Sequence, residues 1–210
     1  MRIIVRQVPP AVGPVEMGRV AVVFPAYNEQ DHVAEAVRRA LDVGVAQVVA
    51  VNDCSTDATG EIIRELASSD GRIHAVHHEV NRGKQAAVRS GLRAILDLCE
   101  APVIAVLDAD MQDDPAHLPG LCGHVGSFDV AIGIRLRGPM PPIRRLANTL
   151  ANLPYQRLAA ARIHDVQSGY RVYTRQVAAY LARRLSEKGR YTFEHTSMLL
   201  FGRMAAGLGR

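Results

Sequence analysis

Two aspartates, Asp108 and Asp110, follow an apolar run at residues 103–107 and are separated by one residue. If the run is a buried strand, its side chains alternate between faces, so both carboxylates leave the sheet on the same side. Carboxylates held this close repel each other unless a cation lies between them, and hard oxygen ligands suit Mg²⁺ or Mn²⁺. The alternative is an acidic loop in which Asp113 or Asp114 caps the next helix. The local sequence leaves both interpretations open, and both can hold at once.

The composition is that of a soluble globular protein. The chain has 210 residues, which is long enough for a substantial core. Of its residues 48% are hydrophobic and 22% are charged, as is ordinary for such a protein. No apolar run reaches the ~18–20 residues that a membrane-spanning helix needs. We expect residues 1–18 to form a tail or a leading strand and not a signal peptide. Cys54, Cys99 and Cys122 form no Cys-x-x-Cys pair, so we expect free thiols in a reducing cytoplasm.

The charge is distributed unevenly along the chain. Residues 1–134 carry 11 basic and 18 acidic side chains, whereas residues 135–210 carry 14 basic and 3 acidic ones. The net charges of the two parts are therefore −7 and +11, within a total of +4. A basic segment of this kind suits an anionic partner such as nucleic acid, a membrane surface or a phosphorylated substrate. It is also typical of a solvated helical face, which is the more usual explanation of a single basic patch.

Apolar strand-like runs alternate with amphipathic helical segments over the first part of the chain. This alternation predicts an α/β fold with a mainly parallel central sheet flanked by helices. Asn28 is the expected N-cap of the first helix, with Asp31 as its capping-box partner, and Gly44 ends that helix. We expect strands at 19–25, 47–51, 73–77, 103–107 and 128–134, and a helix at 115–125.

Polar clusters follow three of these strands, at 27–29, 52–53 and 108–110. In mainly parallel sheets, ligands bind at the carboxyl ends of the strands. Three clusters on one rim therefore predict a binding cleft.

Beyond residue 134 the sequence predicts a loop at 135–142, a helical segment at 143–161 interrupted by Pro154, a turn into a strand at 165–173, and helices at 176–185 and 193–206.

Several common catalytic motifs are absent from the sequence. It contains no Gly-x-Gly-x-x-Gly after a strand, no Walker A sequence, no His-Glu-x-x-His and no Gly-x-Ser-x-Gly. A dinucleotide-dependent oxidoreductase, a P-loop NTPase, a zinc protease of that type and a serine hydrolase are therefore disfavoured. We interpret the pair His77 and His78 as structural and Cys54 as a small turn residue.

Five motifs occur in order and together resemble glycosyltransferase family 2. The resemblance spans about residues 20–201 and is greatest to the polyprenyl-phosphate branch, typified by dolichyl-phosphate mannose synthase. It implies a GT-A type nucleotide-diphospho-sugar transferase fold. The motifs are Pro-Ala-Tyr-Asn-Glu at 25–29, Val-Asn-Asp-Cys-Ser-Thr-Asp at 51–57, Asn-Arg-Gly-Lys at 81–84, Asp-Ala-Asp-Met-Gln at 108–112 and Asp-Val-Gln-Ser-Gly-Tyr-Arg at 165–171.

The resemblance assigns roles to particular residues. It makes residues 19–134 a nucleotide-sugar-binding half and residues 135–210 an acceptor-binding half of one domain. The residues implied to hold the donor are Pro25, Tyr27, Glu29, Asp53, Lys84, Asp108 and Ala109. Those implied to bind Mg²⁺ or Mn²⁺ are Asp108, Asp110 and Gln112. Those implied to act at the reaction or the acceptor are Asp110, Arg135, Arg144, Asp165 and Arg171.

The chemistry of these side chains agrees with such roles. The Asp53 carboxylate can accept a hydrogen bond from a nucleobase N–H or a ribose hydroxyl, and Tyr27 can pack on the base or, alternatively, in the core. Lys84 would support the donor or brace the cleft, unless it is an exposed lysine at a helix start. The i, i+2, i+4 spacing lets Asp108, Asp110 and Gln112 face one cation if the segment stays extended.

The expected reaction is an inverting, metal-dependent transfer of one sugar from a UDP- or GDP-linked donor to a polyprenyl phosphate. A phosphate monoester is largely anionic at pH 7, so it needs cations more than a general base, and the basic second half fits that need. A hydroxyl acceptor would need a base such as Asp165, although Asp165 can instead orient Arg171. The alternatives are transfer to a soluble hydroxyl acceptor and a non-catalytic nucleotide-sugar-binding protein. Nucleic acid is not an expected partner.

The sequence departs from the family pattern in three respects. Asn52 and Cys54 replace an aspartate and a glycine that are frequent there, while Asp53 is retained. The C-terminal segment whose arginine and lysine close over the donor phosphates has no match, so another segment or chain supplies those charges, the site is more open, or activity is impaired. The transmembrane helices of some relatives also have no counterpart. We therefore expect a cytoplasmic protein with peripheral membrane contact at most. Homo-oligomerisation stays open, and apolar residues 198–204 can face lipid or the sheet.

Overall fold

The computed structural model of the chain describes residues 3–6, 16–125, 129–133, 168–187 and 193–205. The loop predicted at 135–142 and the helical segment predicted at 143–161 lie outside the described residues. The strands are β1 (Ile3–Arg6), β2 (Val20–Ala26), β3 (Gln47–Asn52), β4 (Ile73–His77), β5 (Val103–Val106), β6 (Val130–Gly133) and β7 (Arg171–Thr174). The helices are α1 (Val33–Asp42), α2 (Thr59–Ser69), α3 (Lys84–Leu98), α4 (Leu118–Cys122), α5 (Arg175–Arg184) and α6 (Phe193–Ala205).

The strands of the described residues form one sheet in the order β1-β6-β7-β5-β2-β3-β4. Neighbouring strands are parallel except at β7, which pairs antiparallel with both β5 and β6. The predicted α/β class with a mainly parallel central sheet is confirmed. Although β7 comes from the basic second part of the chain, it lies inside the sheet. The two differently charged parts of the chain therefore share one sheet.

Each central strand contributes to two cores because its side chains alternate between faces. On β2, Ala21 and Val23 face the layer that contains α3, α5 and α6. Val22 and Phe24 face the layer that contains α1, α2 and α4. Every residue of β2 is buried, as expected for a strand covered on both sides. Polar groups of these strands can therefore reach solvent only at the strand ends.

Most element boundaries lie within a few residues of the predicted ones, and the exceptions have local causes. The helix predicted at 115–125 is divided into a 3₁₀ turn at Pro115–His117 and the short α4. Pro119 has no backbone N–H with which to continue one α-helix from the turn. The prediction that Asn28 caps α1 is wrong. Asn28 has a φ of 57° and its Oδ1 accepts from the Thr56 amide at 2.9 Å, so α1 begins only after His32.

The apolar residues near the C-terminus serve mainly the core. On α6, Met198, Leu200 and Phe201 are buried, whereas Leu199 is exposed. Packing against the sheet, and not a broad lipid-facing surface, is therefore their main use. None of the helices in the described ranges combines the length and the apolar character that crossing a membrane requires.

Gly91 allows α3 to lie directly on the sheet, because a Cβ there would overlap the Val23 side chain and come within 3.1 Å of Val51 Cγ2. We predict that Gly91→Ala lowers the free energy of unfolding by about 1–3 kcal/mol, since overpacking outweighs the gain of about 1 kcal/mol in helix propensity. Urea unfolding followed by circular dichroism measures the change. Gly71→Ala is the control, because a Cβ at Gly71 meets nothing within 4 Å. A Gly91→Ala protein that is as stable as wild type would contradict the close packing.

Candidate functional site

A cleft of about 230 Å³ opens at the rim where β2, β3 and β5 end and α3 begins. Its walls contain every residue for which the resemblance implies donor contact, together with Asp110 from the implied metal site. Tyr27 is 48% exposed at this cleft, so its ring is available to a ligand and is not packed in the core. The lining residues are Pro25, Ala26, Tyr27, Glu29, Asp53, Lys84, Ala87, Asp108, Ala109 and Asp110.

The loops after β2 and β3 hold each other in place. The Asn28 amide donates to Ser55 Oγ at 3.0 Å, and the Glu29 amide donates to Thr59 Oγ1 at 2.8 Å. The turns after β2, β3 and β5 each contain a non-glycine residue with positive φ, namely Asn28, Cys54 and Met111. Such backbone conformations cost energy and are retained where the surroundings fix them, often at functional sites. The rim of the cleft is therefore a set of fixed, interlocked turns.

Asp53 is buried at the inner end of the cleft and is held by three donors. Its Oδ1 lies 2.6 Å from His78 Nδ1 and accepts from the Arg82 amide at 2.9 Å, while its Oδ2 accepts from the Gly83 amide at 2.7 Å. The far side of the His78 ring contacts Ser90 Oγ on α3 at 2.9 Å. The carboxylate is thus fixed by the loop that starts α3, as a ligand-reading group requires.

Lys84 lies between two carboxylates that come from distant parts of the chain. Its Nζ is 2.6 Å from Asp108 Oδ1 and 2.6 Å from Glu194 Oε1 on α6. Burial alone would lower the pKa of Lys84, but Asp108 and Glu194 raise it above its ordinary value. Burial would likewise raise the pKa of Glu194, but the Lys84 ammonium lowers it. Lys84 is therefore a fixed cation inside the cleft and not an exposed lysine at a helix start.

The open side of the cleft carries an excess of negative charge. Burial raises the pKa of Glu29, and the nearby carboxylates of Asp110 and Asp108 raise it further. Hard oxygen donors in such a field suit a divalent cation. Among the described residues no three His, Cys, Asp or Glu side chains are arranged to enclose a metal. Asp108 and Asp110 line the same cleft, and their oxygens are of the kind that binds Mg²⁺ together with substrate phosphates.

Asp108 is positioned from several sides. Its backbone amide donates to Asp113 Oδ2 at 3.3 Å, so Asp113 folds back on the strand end and does not cap the next helix. Gly169 lies against its carboxylate, because a Cβ on Gly169 would lie 2.5 Å from Asp108 Oδ2. The Gln-Ser-Gly-Tyr-Arg stretch thus contributes a glycine that leaves room for the cleft carboxylate. Asp114 has the predicted capping role, and its Oδ1 accepts from the Ala116 amide at 3.0 Å.

The condition under which Asp108, Asp110 and Gln112 would face one cation, an extended segment at 108–112, is not met. The chain turns directly after β5, and Met111 has a φ of 62°. The Gln112 side chain is exposed and does not line the cleft, while its amide donates to Asp110 Oδ1 at 2.9 Å. Because β5 ends at Val106, spacing alone does not place Gln112 beside the two carboxylates. Its role as a metal ligand stays a prediction.

Arg171 lies in the interior and not on an acceptor-facing surface. It is fully buried, with Nε donating to the Ser168 carbonyl at 2.9 Å and Nη1 donating to Ser197 Oγ. Its guanidinium also lies 5.3 Å from the centre of the Phe193 ring, at the start of α6. In this structure Arg171 is therefore placed to fix β7 against α6 and not to contact an acceptor directly.

The predicted site residues and those that the structure shows at the cleft do not coincide completely. Arg135, Arg144 and Asp165, which were predicted to act on the acceptor side, are outside the described residues. Conversely, Glu194 and His78 were not predicted as site residues. Glu194 has no local sequence signal, since its partner Lys84 is 110 positions away in the chain. His78 directly follows β4, which is the kind of strand-end position where site residues were expected.

Comparison with known families and curated proteins gives matches over most of the chain. The model of glycosyl transferase family 2 matches residues 21–203. An undecaprenyl-phosphate 4-deoxy-4-formamido-L-arabinose transferase from Pseudomonas aeruginosa is 32% identical over 171 residues, which are 78% of this chain and 49% of the relative. The protein of the same name from Edwardsiella ictaluri is 33% identical over 165 residues, which are 75% of this chain and 50% of the relative. The chain thus spans about half the length of these relatives.

Solved structures with the same fold include two complexes with a metal and a nucleotide. Glucosyl-3-phosphoglycerate synthase from Mycobacterium tuberculosis, in complex with Mn²⁺, UDP and glucosyl-3-phosphoglycerate, has a TM-score of 0.57 at 19% identity, covering 77% of this chain and 60% of the synthase. The mannosyltransferase PcManGT from Pyrobaculum calidifontis, in complex with GDP-mannose and Mn²⁺, has a TM-score of 0.54 at 19% identity, covering 82% and 50%. These likenesses establish the fold of this chain, and the predicted GT-A type is confirmed.

Removing the charge of Glu194 tests the ion-pair cluster that Lys84 forms with Asp108 and Glu194. We predict that Glu194→Gln lowers the free energy of unfolding at pH 7 by about 1–3 kcal/mol, because a partly buried ammonium loses one of its two charged partners. Glu187→Gln is the control, since Glu187 pairs with Arg89 but is 54% exposed, and such pairs contribute about 0–1 kcal/mol. Urea unfolding of the three proteins measures both effects, and equal stability of the two variants would contradict the cluster.

The stability difference between wild type and Glu194→Gln should also depend on pH, in a direction that the pKa of Glu194 determines. The pKa of Glu194 is lowered in the folded protein, so the pair stabilises above the pKa of glutamate in the unfolded chain, about 4.3. Its contribution is lost as the pH falls through the folded-state pKa. We therefore predict that the stability difference between wild type and Glu194→Gln shrinks below about pH 4. Unfolding measured at a series of pH values tests this, and a difference that stays constant would assign it to packing.

Proposed function

The chain belongs to glycosyltransferase family 2, and from this premise we propose that it transfers a sugar from a nucleotide diphosphate sugar to a polyprenyl phosphate. The proposed reaction inverts the sugar carbon and depends on Mg²⁺ or Mn²⁺. The observation that carries the proposal is the single cleft that brings Asp53, Lys84, Asp108 and Asp110 together at the strand ends. These groups supply a base-reading carboxylate, a cation and a pair of carboxylates for a metal-bound diphosphate.

The donor is proposed to lie along the cleft with its nucleoside towards Asp53. The exposed ring of Tyr27 offers an aromatic face for the base at the cleft wall. Lys84 offers positive charge close to Asp108, where the diphosphate is proposed to lie. A fixed ammonium in a partly buried site stabilises negative charge on a leaving group more effectively than a solvated one does. This chain's own residues therefore orient the donor and neutralise part of the charge on the nucleotide as it leaves.

The cleft carboxylates are also proposed to hold the divalent ion. Asp108 and Asp110 are the residues that would bind it, and Glu29 adds to the negative field that attracts it. A divalent ion held by these residues would supply Lewis-acid chemistry that neutralises charge on the diphosphate. Lys84 lies 2.6 Å from Asp108 and offsets part of its negative charge. This ion pair therefore limits the repulsion between Asp108 and the neighbouring carboxylates.

The acceptor is proposed to be a lipid phosphate. The relatives from Pseudomonas aeruginosa and Edwardsiella ictaluri are named as undecaprenyl-phosphate sugar transferases, and the +11 charge of residues 135–210 suits an anionic acceptor. The acceptor phosphate is largely ionised at pH 7, so its oxygen attacks the sugar carbon while the bond to the nucleotide breaks, and no protein base has to remove a proton. Arg135 and Arg144 are the residues proposed to bind it, and contact with the membrane is proposed to be peripheral on the cytoplasmic side.

A transfer assay tests the proposal. Purified protein is incubated with Mn²⁺ and a panel of UDP- and GDP-sugars, with undecaprenyl phosphate or undecaprenol in detergent as acceptor. We expect a glycolipid product with undecaprenyl phosphate alone. Asp110→Asn should lower the rate about 100-fold, as expected if a metal ligand worth about 3 kcal/mol is lost. Asp97→Asn is the matched control, because Asp97 is an exposed aspartate on α3.

Other outcomes of this assay select the alternatives. Product with a soluble hydroxyl acceptor and none with undecaprenyl phosphate would contradict the lipid phosphate. Nucleotide binding with neither transfer nor donor hydrolysis would contradict enzymatic activity and favour a binding protein. Equal rates for Asp110→Asn and Asp97→Asn would contradict the proposed metal site.

A further inference from the structure

We propose that His78 is a positioning residue that restricts Asp53 to one remaining hydrogen-bond acceptor, so that the cleft selects a base with a single ring N–H, such as uracil, over guanine. This inference rests on the proposed function, because it concerns the nucleoside end of the same cleft. It adds a role for a histidine that the sequence had assigned to structure alone, and it predicts the class of donor nucleotide.

The hydrogen bonds of Asp53 carry the argument. An ionised carboxylate offers about four acceptor positions, two on each oxygen. In the described part of the chain, His78 Nδ1 and the Arg82 amide occupy Oδ1, and the Gly83 amide occupies one position on Oδ2. One acceptor position on Oδ2 is left. Because Asp53 lines the cleft, this position is the one that a ligand can use.

His78 is held so that its contact with Asp53 is not easily lost. Its side chain is 5% exposed, and Asp53 is 4% exposed, so water does not compete effectively for their contact. The backbone amide of His78 donates to the Asn52 carbonyl at 2.9 Å, at the end of β3. On the far side of the ring, Nε2 lies 2.9 Å from Ser90 Oγ. An Nδ1–H that donates to Asp53 leaves Nε2 to accept from the Ser90 hydroxyl, so both ring nitrogens are used.

The acceptor count distinguishes the two common classes of donor base. Guanine presents a ring N–H next to an amino group, and one carboxylate accepts from both only if each of its oxygens has a free acceptor position. Uracil presents one ring N–H between two carbonyl groups, which a single acceptor satisfies. With guanine, one of the two donors would find no acceptor on Asp53, and a buried donor left without a partner costs about 1–3 kcal/mol. By filling Oδ1, His78 therefore turns a carboxylate that could read guanine into one that reads uracil.

A matched pair of substitutions tests this role. His78→Asn keeps a donor near the position of Nδ1, whereas His78→Leu has a similar size and no donor. Binding of UDP and of GDP to wild type and both variants is measured by isothermal titration calorimetry with Mn²⁺, after circular dichroism has verified folding. We expect wild type to bind UDP about tenfold more tightly than GDP. We expect His78→Leu to lose about tenfold in UDP affinity and most of the preference, and His78→Asn to retain both within about threefold.

The outcomes separate this inference from the proposed function. Failure of wild type to bind either nucleotide would contradict the proposed function itself. Wild type that binds UDP but binds GDP equally or more tightly would overturn the selection of uracil, even if His78→Leu does not fold. Unchanged UDP affinity and preference in a folded His78→Leu protein would overturn the role of His78. A residue that merely stabilised the fold would lower the melting temperature without changing the ratio of the two affinities.

Discussion

The ion-pair cluster of Lys84 with Asp108 and Glu194 is the interaction on which the cleft depends. The strands of a mainly parallel sheet deliver their following residues to one rim, and here that rim receives the carboxylates of Asp108, Asp110 and Glu29. Carboxylates collected in this way repel one another, and Asp110 and Asp108 add to the rise that burial causes in the pKa of Glu29. Lys84 offsets this repulsion from the start of α3, and Glu194 holds Lys84 in place. The cleft can therefore stay formed and still attract a divalent cation.

The second part of the chain completes the cleft as well as adding positive charge. Because β7 is inserted antiparallel between β5 and β6, the residues next to it come up against the end of β5. Gly169 then leaves room for the Asp108 carboxylate, and buried Arg171 ties β7 to the start of α6, which carries Glu194. Residues of both parts of the chain therefore build the cleft, and a division of the sequence at residue 134 does not separate them.

Much of the fold and of the cleft could be predicted from the sequence, because both follow from short-range rules. Apolar runs separated by amphipathic helices define the sheet, and polar residues directly after the strands, such as Asp53 and Asp108, must meet at its carboxyl edge. The errors arose where a turn replaced regular geometry. Gln112 leaves the strand alternation because the chain turns at Met111, and Asn28 bonds the neighbouring loop instead of capping α1. Glu194 could not be predicted, because nothing near it in the sequence reveals a partner 110 positions away.

The central claim is that one rim of the sheet holds both the metal and the nucleotide diphosphate. Anomalous diffraction at the manganese edge, from crystals grown with Mn²⁺ and UDP, tests it most directly. We predict one strong anomalous peak beside the carboxylates of Asp108 and Asp110, with the diphosphate in contact with it and the base at Asp53. A manganese ion bound elsewhere, or a nucleotide outside the cleft lined by these residues, would contradict the account.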